Sequence, residues 1–255
     1  MPRQLDIWLN DVSLRDVDVR IIIRDMHEKS AQIKTTFGDI PVMDGQRLLD
    51  MRRASKTITV EIAIRELYDL GTRQLILDAV NRWAADGWMK STAHPGQRIY
   101  VHATGWPTLE NVRKYGDTYM VTFVTAGSPY WEDEAPMTWS SSGTSMTGTV
   151  TNLGSVSALP EVTVTPASAT LNDLTVTVGG TSFIFDDLSI SAGTALKVTH
   201  DERGILLVTS GTASKLAART AASDDELVAQ PGVNSVSVAA DVEAAVTIAV
   251  RGRYR

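Results

Sequence analysis

The chain has 255 residues, 43% of them hydrophobic, and its 24 Lys+Arg against 30 Asp+Glu leave a net charge of −6. That is enough apolar material for one large core or two ordinary ones, and the acidic balance argues against a protein that grips nucleic acid through its phosphates. With no cysteine, disulfides, thiolate chemistry and cysteine-based zinc sites are excluded, and no run of about 18 apolar residues offers a membrane-spanning helix.

The opening stretch "MPRQLDIWLNDVSLRD" alternates polar and apolar residues, so no cleaved secretory signal is expected. "DVDVRIII" (16–23) and "AQIKTTF" (31–37) have strand composition and are expected to pair as a long hairpin. In "SKTITVEIAIRE", Ile58, Val60, Ile62 and Ile64 fall on one face of a strand. "RQLILDAVNRWAADG" (73–87) reads as a helix with Leu75, Ile76, Ala79, Val80 and Trp83 in its apolar stripe, Thr72 as N-cap and Gly87 as the glycine past its end. "RIYVHATG" and "DTYMVTFVT" add two strands.

The composition then changes. All six tryptophans lie in the first 139 residues, and beyond them the aromatics are Phe183, Phe185 and Tyr254. Residues 1–139 hold 17 Lys+Arg and 19 Asp+Glu, whereas 140–255 hold 7 and 11. Such a shift implies two domains, 1–139 and 140–255, with "TWSSSGTSMTG" (138–148) as the most linker-like segment. The second half is nearly all strand. "LTVTVGGTSFIF" carries a two-residue Gly179-Gly180 hairpin turn, "TALKVTHDERGILLVTS" a second hairpin, and "PEVTVTP", "NSVSVAA" and "AVTIAVRGRYR" further strands. The fold class expected is mainly β: an α+β N-terminal domain with a β-sandwich and one helix, then an all-β sandwich or jelly roll.

No reaction centre emerges. Glu132, Asp133 and Glu134 alternate in extended chain and read as a solvated acidic loop rather than an ion cradle. His27, His94, His102 and His200 lack a ligand motif; His94 and His102 fit one sheet region, but no carboxylate is placed by sequence to orient them. "GTSMTG" (143–148) departs from a nucleophile elbow and precedes strands only. Asp16-Val-Asp18 starts like a calcium loop but runs on into a strand. Catalytic, cofactor-binding and metal residues are therefore expected to be none. Arg47, Arg52, Arg53 and Lys56 form the one basic cluster, interleaved with Asp44 and Asp50, and read as a set of surface or interface ion pairs. The segment "SPYWEDEAPMTWS" (128–140) sits at the change in composition. Pro129 and Pro136 stiffen it, and Pro129, Tyr130 and Trp131 are candidates for a junction or an interface.

The order of "ASKTITVEIAIRE", "TRQLILDAVNRWAADG", "RIYVHATG" and "DTYMVTFVTAGSPYWED", with "ELVAQPGVNSVSV" near the end, resembles the distal tail protein family of long-tailed, siphovirus-type bacteriophages. The resemblance spans most of the chain. It implies a ring-forming N-terminal domain and a galectin-like C-terminal sandwich. It also implies a homohexameric ring at the virion tail tip, assembled in the host cytoplasm. The ring joins the tail tube protein to the tail-tip hub protein and receptor-binding proteins, and leaves a channel through which DNA passes without specific binding. No enzyme activity, cofactor or membrane insertion is expected. The alternative is a monomeric glycan-binding adhesin module, against which the second half offers three aromatics, with Phe183 and Phe185 alternating like core residues.

Overall fold

The computed structural model describes residues 4–39, 46–65, 69–107, 118–125, 127–201 and 204–255, with side chains described outside 36–53. The chain separates into two compact units, Met1–Pro129 and Tyr130–Arg255. It is mainly β, as its composition implies.

The strands of the first unit are β1 (Ile7–Leu9), β2 (Val12–Ser13), β3 (Ile21–Lys29), β4 (Ile33–Asp39), β5 (Gln46–Arg53), β6 (Thr57–Ile64), β7 (Gly87–Ser91), β8 (His94–Gly105) and β9 (Thr118–Thr125). Seven of them form one antiparallel sheet in the order β2-β1-β7-β8-β9-β6-β3. Of the expected strand over 55–66, Thr57–Ile64 lies inside this sheet, with Ile58, Val60 and Ile62 fully buried. The expected hairpin is not formed. β3 pairs with β6, and β4 pairs with β5 in a ribbon of its own. Alternation identifies a strand and its inward face, but the same pattern fits several partners.

Helix α1 (Leu14–Val17) is a single turn, and α2 (Leu70–Trp83) is the long helix. Its N-cap is Asp69 rather than Thr72. The Asp69 carboxylate accepts from the Gly71 amide at 2.9 Å, and the Thr72 hydroxyl donates to the same carboxylate. That hydroxyl bond is the main reason the Asp69 carboxyl sits below its ordinary pKa. The buried stripe is Arg73, Ile76, Leu77, Val80 and Trp83, while the expected Leu75 is 69% exposed. The inward face centres on Ile76, Leu77 and Val80, and Arg73, 2% exposed, fills a core position that apolar counting cannot see. Trp83 meets Phe123 of β9 edge-on at 6.1 Å, and its indole N–H donates to the Val12 carbonyl at 2.9 Å, which fixes α2 against the sheet. Gly87 opens β7 instead of ending the helix. A side chain there would lie 2.0 Å from Asn10 Oδ1, so close approach is what requires the glycine.

The second unit contains β10 (Trp131–Asp133), β11 (Met137–Asn152), β12 (Glu161–Pro166), β13 (Leu174–Val178), β14 (Thr181–Phe185), β15 (Leu196–His200), β16 (Leu206–Ser210), β17 (Ala213–Ser214), β18 (Gly232–Val250) and β19 (Arg253–Tyr254). The supposed linker is therefore the middle of β11, and the expected boundary at 139/140 falls inside that strand. A Ser/Thr/Gly-rich run without charge reads as a linker, yet it is also what a strand looks like when its partner supplies the apolar contacts.

β18 runs antiparallel to β11 along its length. On its other side β18 pairs first with β13, through Val236–Ala240, and then with β12, through Ala244–Ala249. One buried cluster draws on β13 and β14 as well as on β12, β15 and β16, so the two halves of the paired strands β11 and β18 belong to the two layers of a sandwich. The corner is a shift of register at Gly143/Ser145, where Thr144 of β11 stands against Ala240–Glu243 of β18. The more buried positions switch there from Trp139, Ser141 and Gly143 to Met146, Gly148, Val150 and Asn152. A shift of register by an odd number of residues exchanges the faces of one strand relative to its partner. The Gly179-Gly180 turn is formed with both φ angles positive, 59° and 94°, and joins β13 to β14 as expected. Asn234 of the "PGVN" stretch donates to the carbonyls of Gln230 and Gly232 and accepts from the Gln230 amide, so the pattern fixes the turn that enters β18.

Candidate assembly sites

The segment 130–134 begins the second unit, and the chain's own C-terminal end closes it. β10 pairs with β19, placing Trp131 opposite Tyr254 and Glu132 opposite Arg253. Trp131 is fully buried, Pro129 is buried and Tyr130 is half-buried. The acids are not a uniformly wet loop. Asp133 is a half-buried acceptor whose Oδ2 takes the Gly252 amide at 3.1 Å and the Tyr254 hydroxyl at 3.2 Å. The Arg251 guanidinium donates to the carbonyls of Asp133 and Glu134. Burial, and then the bond to Asp133, push the Tyr254 hydroxyl above its ordinary pKa. Burial also draws the Arg253 guanidinium below its usual value, with Glu132 and Glu226 pulling it back. Two glycines make this closure possible. A side chain at Gly252 would lie 2.4 Å from Asp133 Oδ2, and one at Gly154 would lie 2.2 Å from the Arg253 amide nitrogen. The sequence offers no sign of the pairing, because its partners stand about 120 residues apart.

Arg47, Arg52 and Arg53 all lie on β5, at register positions opposite Gly38, Lys34 and Ile33. Their side chains lie outside the described ones. Lys56 separates from this cluster. It is 7% exposed, and its ammonium sits 3.0 Å from Glu28 Oε2. The other oxygen of Glu28 lies 2.5 Å from His94 Nε2. His94 and His102 do share a strand, β8, but each has its own carboxylate, since His102 Nδ1 lies 2.8 Å from Asp86. His27 is 3.7 Å and 3.6 Å from Asp25 and Glu61. Sequence reasoning missed most of these pairs because strand order, not local spacing, creates them. Among the described residues, no three His, Asp or Glu side chains gather as a metal site.

A second feature was not legible beforehand. On the face of β7 and β8 opposite the buried Met89, Ile99 and Val101, Arg98 lies 3.9 Å above the Trp88 ring, Trp88 meets Tyr100 at 5.3 Å, and Tyr100 meets His102 at 5.7 Å. A cation stacked on aromatics at a half-exposed face is the composition of an interaction surface. In the second unit an open cleft of 460 Å³ is lined by Asp186, Asp187, Lys215 and Arg219 among others, without an aromatic wall. Phe183 and Phe185 are fully buried and present no platform for a sugar.

The chain is thus a mainly β, two-unit protein whose notable features are a strand-closed junction and a decorated sheet face. No protein-family model and no curated sequence matches it. Among solved structures it is similar to the SPP1 Dit (gp 19.1) protein, described as a paradigm of the hub adsorption apparatus in Gram-positive-infecting phages. That similarity has a TM-score of 0.67 and 13% identity, covering 99% of this chain and 100% of that one. It is also similar to a chain of the phage P2 baseplate in its activated conformation with Ca, with a TM-score of 0.50 and 7% identity over 99% and 98% of the two chains. At these identities the likeness is one of fold.

Proposed function

We propose that this chain is a structural protein of a bacteriophage virion, located at the tail tip. It assembles as a homohexameric ring that joins the tail tube to the hub and its receptor-binding proteins, and it catalyses no reaction. The observation that carries the reading is the fold shared with SPP1 Dit across both units, end to end. A shared fold alone does not fix a role, so the chemistry of the chain matters too. An acidic chain suits a conduit for DNA, since a basic lumen would hold the phosphates. The β4–β5 ribbon pairs with no other strand of this chain among the described residues. An isolated two-stranded ribbon is marginal in water. A neighbouring subunit is the natural surface for it, with Arg47, Arg52 and Arg53 on β5 as contributors. Repetition of such a heterologous contact about an axis closes a ring. Pro129, Tyr130 and Trp131 serve as the junction of the two units.

Negative-stain electron microscopy and light scattering of the purified protein test this. The expected result is a six-fold ring with an open centre, alone or after addition of tail tubes. A protein that stays monomeric with tubes present, and binds none of them, overturns the reading.

A further inference from the structure

The open cleft of the second unit holds charges of both signs that have not found each other. Asp186, Asp187, Ser214, Lys215, Arg219 and Thr220 line its 460 Å³. The acidic side is the turn after β14, and the basic side is the single 3-10 turn Leu216–Ala218 with the residues that flank it. Main-chain bonds tie the two sides together. The Asp186 amide donates to the Ala218 carbonyl at 3.0 Å, and the Thr220 amide donates to the Ile184 carbonyl at 2.9 Å. The spacing of the two sides is therefore set by the backbone and not by the charges themselves.

Among the described residues, Asp186 and Asp187 form no ion pair, and the half-buried Lys215 forms none either. Arg219 is positioned but underused. Its guanidinium lies 5.2 Å from the centre of the Phe183 ring and donates to the Asp225 carbonyl at 3.2 Å. The Asp225 carboxylate is fully exposed and 3.9 Å away, too far for a hydrogen bond. Most of the five N–H donors of that fork are thus left for another partner. The Thr220 hydroxyl is buried and has no partner among the described residues. A buried hydroxyl left unpaired is costly unless a bound group pairs it. Opposite charges that share a cleft without meeting, beside an orphaned hydroxyl, mark a place built for a ligand.

We infer that this cleft binds a small zwitterion, a primary amine joined through a short linker to a phosphate, the chemistry of a phosphoethanolamine group. The cations of Lys215 and Arg219 and the hydroxyls of Ser214 and Thr220 match the charge and the acceptor oxygens of the phosphate. The carboxylates of Asp186 and Asp187 match the ammonium. A bare anion meets two carboxylates that oppose it, and a bare amine meets two cations. A neutral pyranose is disfavoured on other grounds, because no aromatic ring lines the cleft. The cleft is open, so a larger molecule can carry the group, either a lipid or a soluble polymer. The site lies within the second unit of one chain, so it goes beyond the ring and does not depend on it.

The test uses the full chain and saturation-transfer difference NMR, with phosphoethanolamine as the probe. Its methylene protons are expected to take up saturation, with a Kd of about 1 mM or tighter, the affinity of a few charge-assisted bonds. Ethanolamine, inorganic phosphate and glycerol 1-phosphate each lack part of the group and should displace the probe about fivefold less well or worse. Lys215→Gln and Asp187→Asn are each expected to weaken binding about fivefold or more. Ala217→Trp fills the cleft without changing its charge and should abolish binding. Lys197→Gln, at an exposed position of β15 outside the cleft, should leave it unchanged. If a variant loses its melting transition, the competitors on the wild-type chain decide. Flotation with phosphatidylethanolamine vesicles, set against phosphatidylglycerol vesicles, names the carrier. Capture by the former alone makes it a lipid headgroup, and binding of the free probe without capture makes it a soluble carrier. No saturation transfer to the probe, equal displacement by any of the three competitors, or full binding in Asp187→Asn overturns the inference.

Discussion

The sheet of residues 1–129 threads charge between its strands, while the sandwich of 130–255 keeps charge out of its core. In the first unit Lys56 reaches Glu28 from the start of β6 to β3, His94 of β8 meets the same carboxylate, and His102 meets Asp86. In the second, the core is Val, Leu, Ile, Phe and Ala, with the buried Asn152 and Asn234 as its polar members, each spending its amide on nearby backbone. Its ionic contacts include those around Asp133, Arg251 and Arg253, and the pair Arg219–Asp225. Register is fixed in one case by which charge finds which partner. In the other it is fixed by the corner at Gly143/Ser145 and by glycines that admit close packing. Mutations in the two units should therefore fail differently.

The largest effect is expected at Trp131, where the closure of the second unit concentrates most buried surface in one side chain. Trp131→Ala should cost about 3–5 kcal/mol, the range for truncating a large buried aromatic. Denaturant unfolding followed by circular dichroism measures it, and a change under about 1 kcal/mol would mean that the site collapses without loss. Next is Glu28→Gln, which leaves the buried Lys56 ammonium without its carboxylate. A loss of about 1.5–3 kcal/mol is expected, typical of a hydrogen bond to a charged group. Adding Lys56→Met should restore most of it. If the double variant is no better than the single, the pair is not what the substitution broke.

Gly148 gives the matching test in the sandwich. A Cβ there would lie 2.0 Å from Trp139 Nε1, so the ring of one half of β11 rests on the backbone of the other. Gly148→Ala is expected to cost about 1–3 kcal/mol as overpacking, and Trp139→Leu in the same chain should relieve it. Additive losses would show that the two positions are independent.

The sequence made the periodic features legible. The alternation of Ile58, Val60 and Ile62, the Gly-Gly turn and the presence of one long helix all follow from local rules, and the structure has them. What stayed hidden depends on partners far along the chain. Local rules give β3 a neighbour it does not have, group Lys56 with the arginines of β5 from which it separates, and set the unit boundary ten residues late. That last error has a clear source. Trp131 and Trp139 made the start of the sandwich look like the end of the aromatic-rich half, and a neutral Ser/Thr run looked like a linker because β18 carries its apolar complement. The junction residues were visible as an unusual composition, but the closure by Tyr254 and Arg253 was not.

The smallest expected effect separates the units by pH. His200, at the end of β15, is partly buried, and desolvation lowers its pKa from 6.5; Arg253 lowers it further, while Glu226, Asp201 and Glu161 act in the opposite direction. Its Nε2 has no hydrogen-bond partner among the described residues. The folded state therefore binds this proton less readily than the unfolded chain. Above the ordinary value both forms are neutral and the site contributes no pH dependence. As pH falls below 6.5 the unfolded chain takes up the proton first, so stability declines, and the decline ends once pH has passed the lower folded pKa. The carboxylates titrate lower, so the interval from about pH 6.5 to about 5 belongs mainly to histidines. His200→Asn should flatten the fall of the melting midpoint across that interval, with little change above about pH 8. An unchanged slope in the variant would count against the desolvation of His200 as its cause.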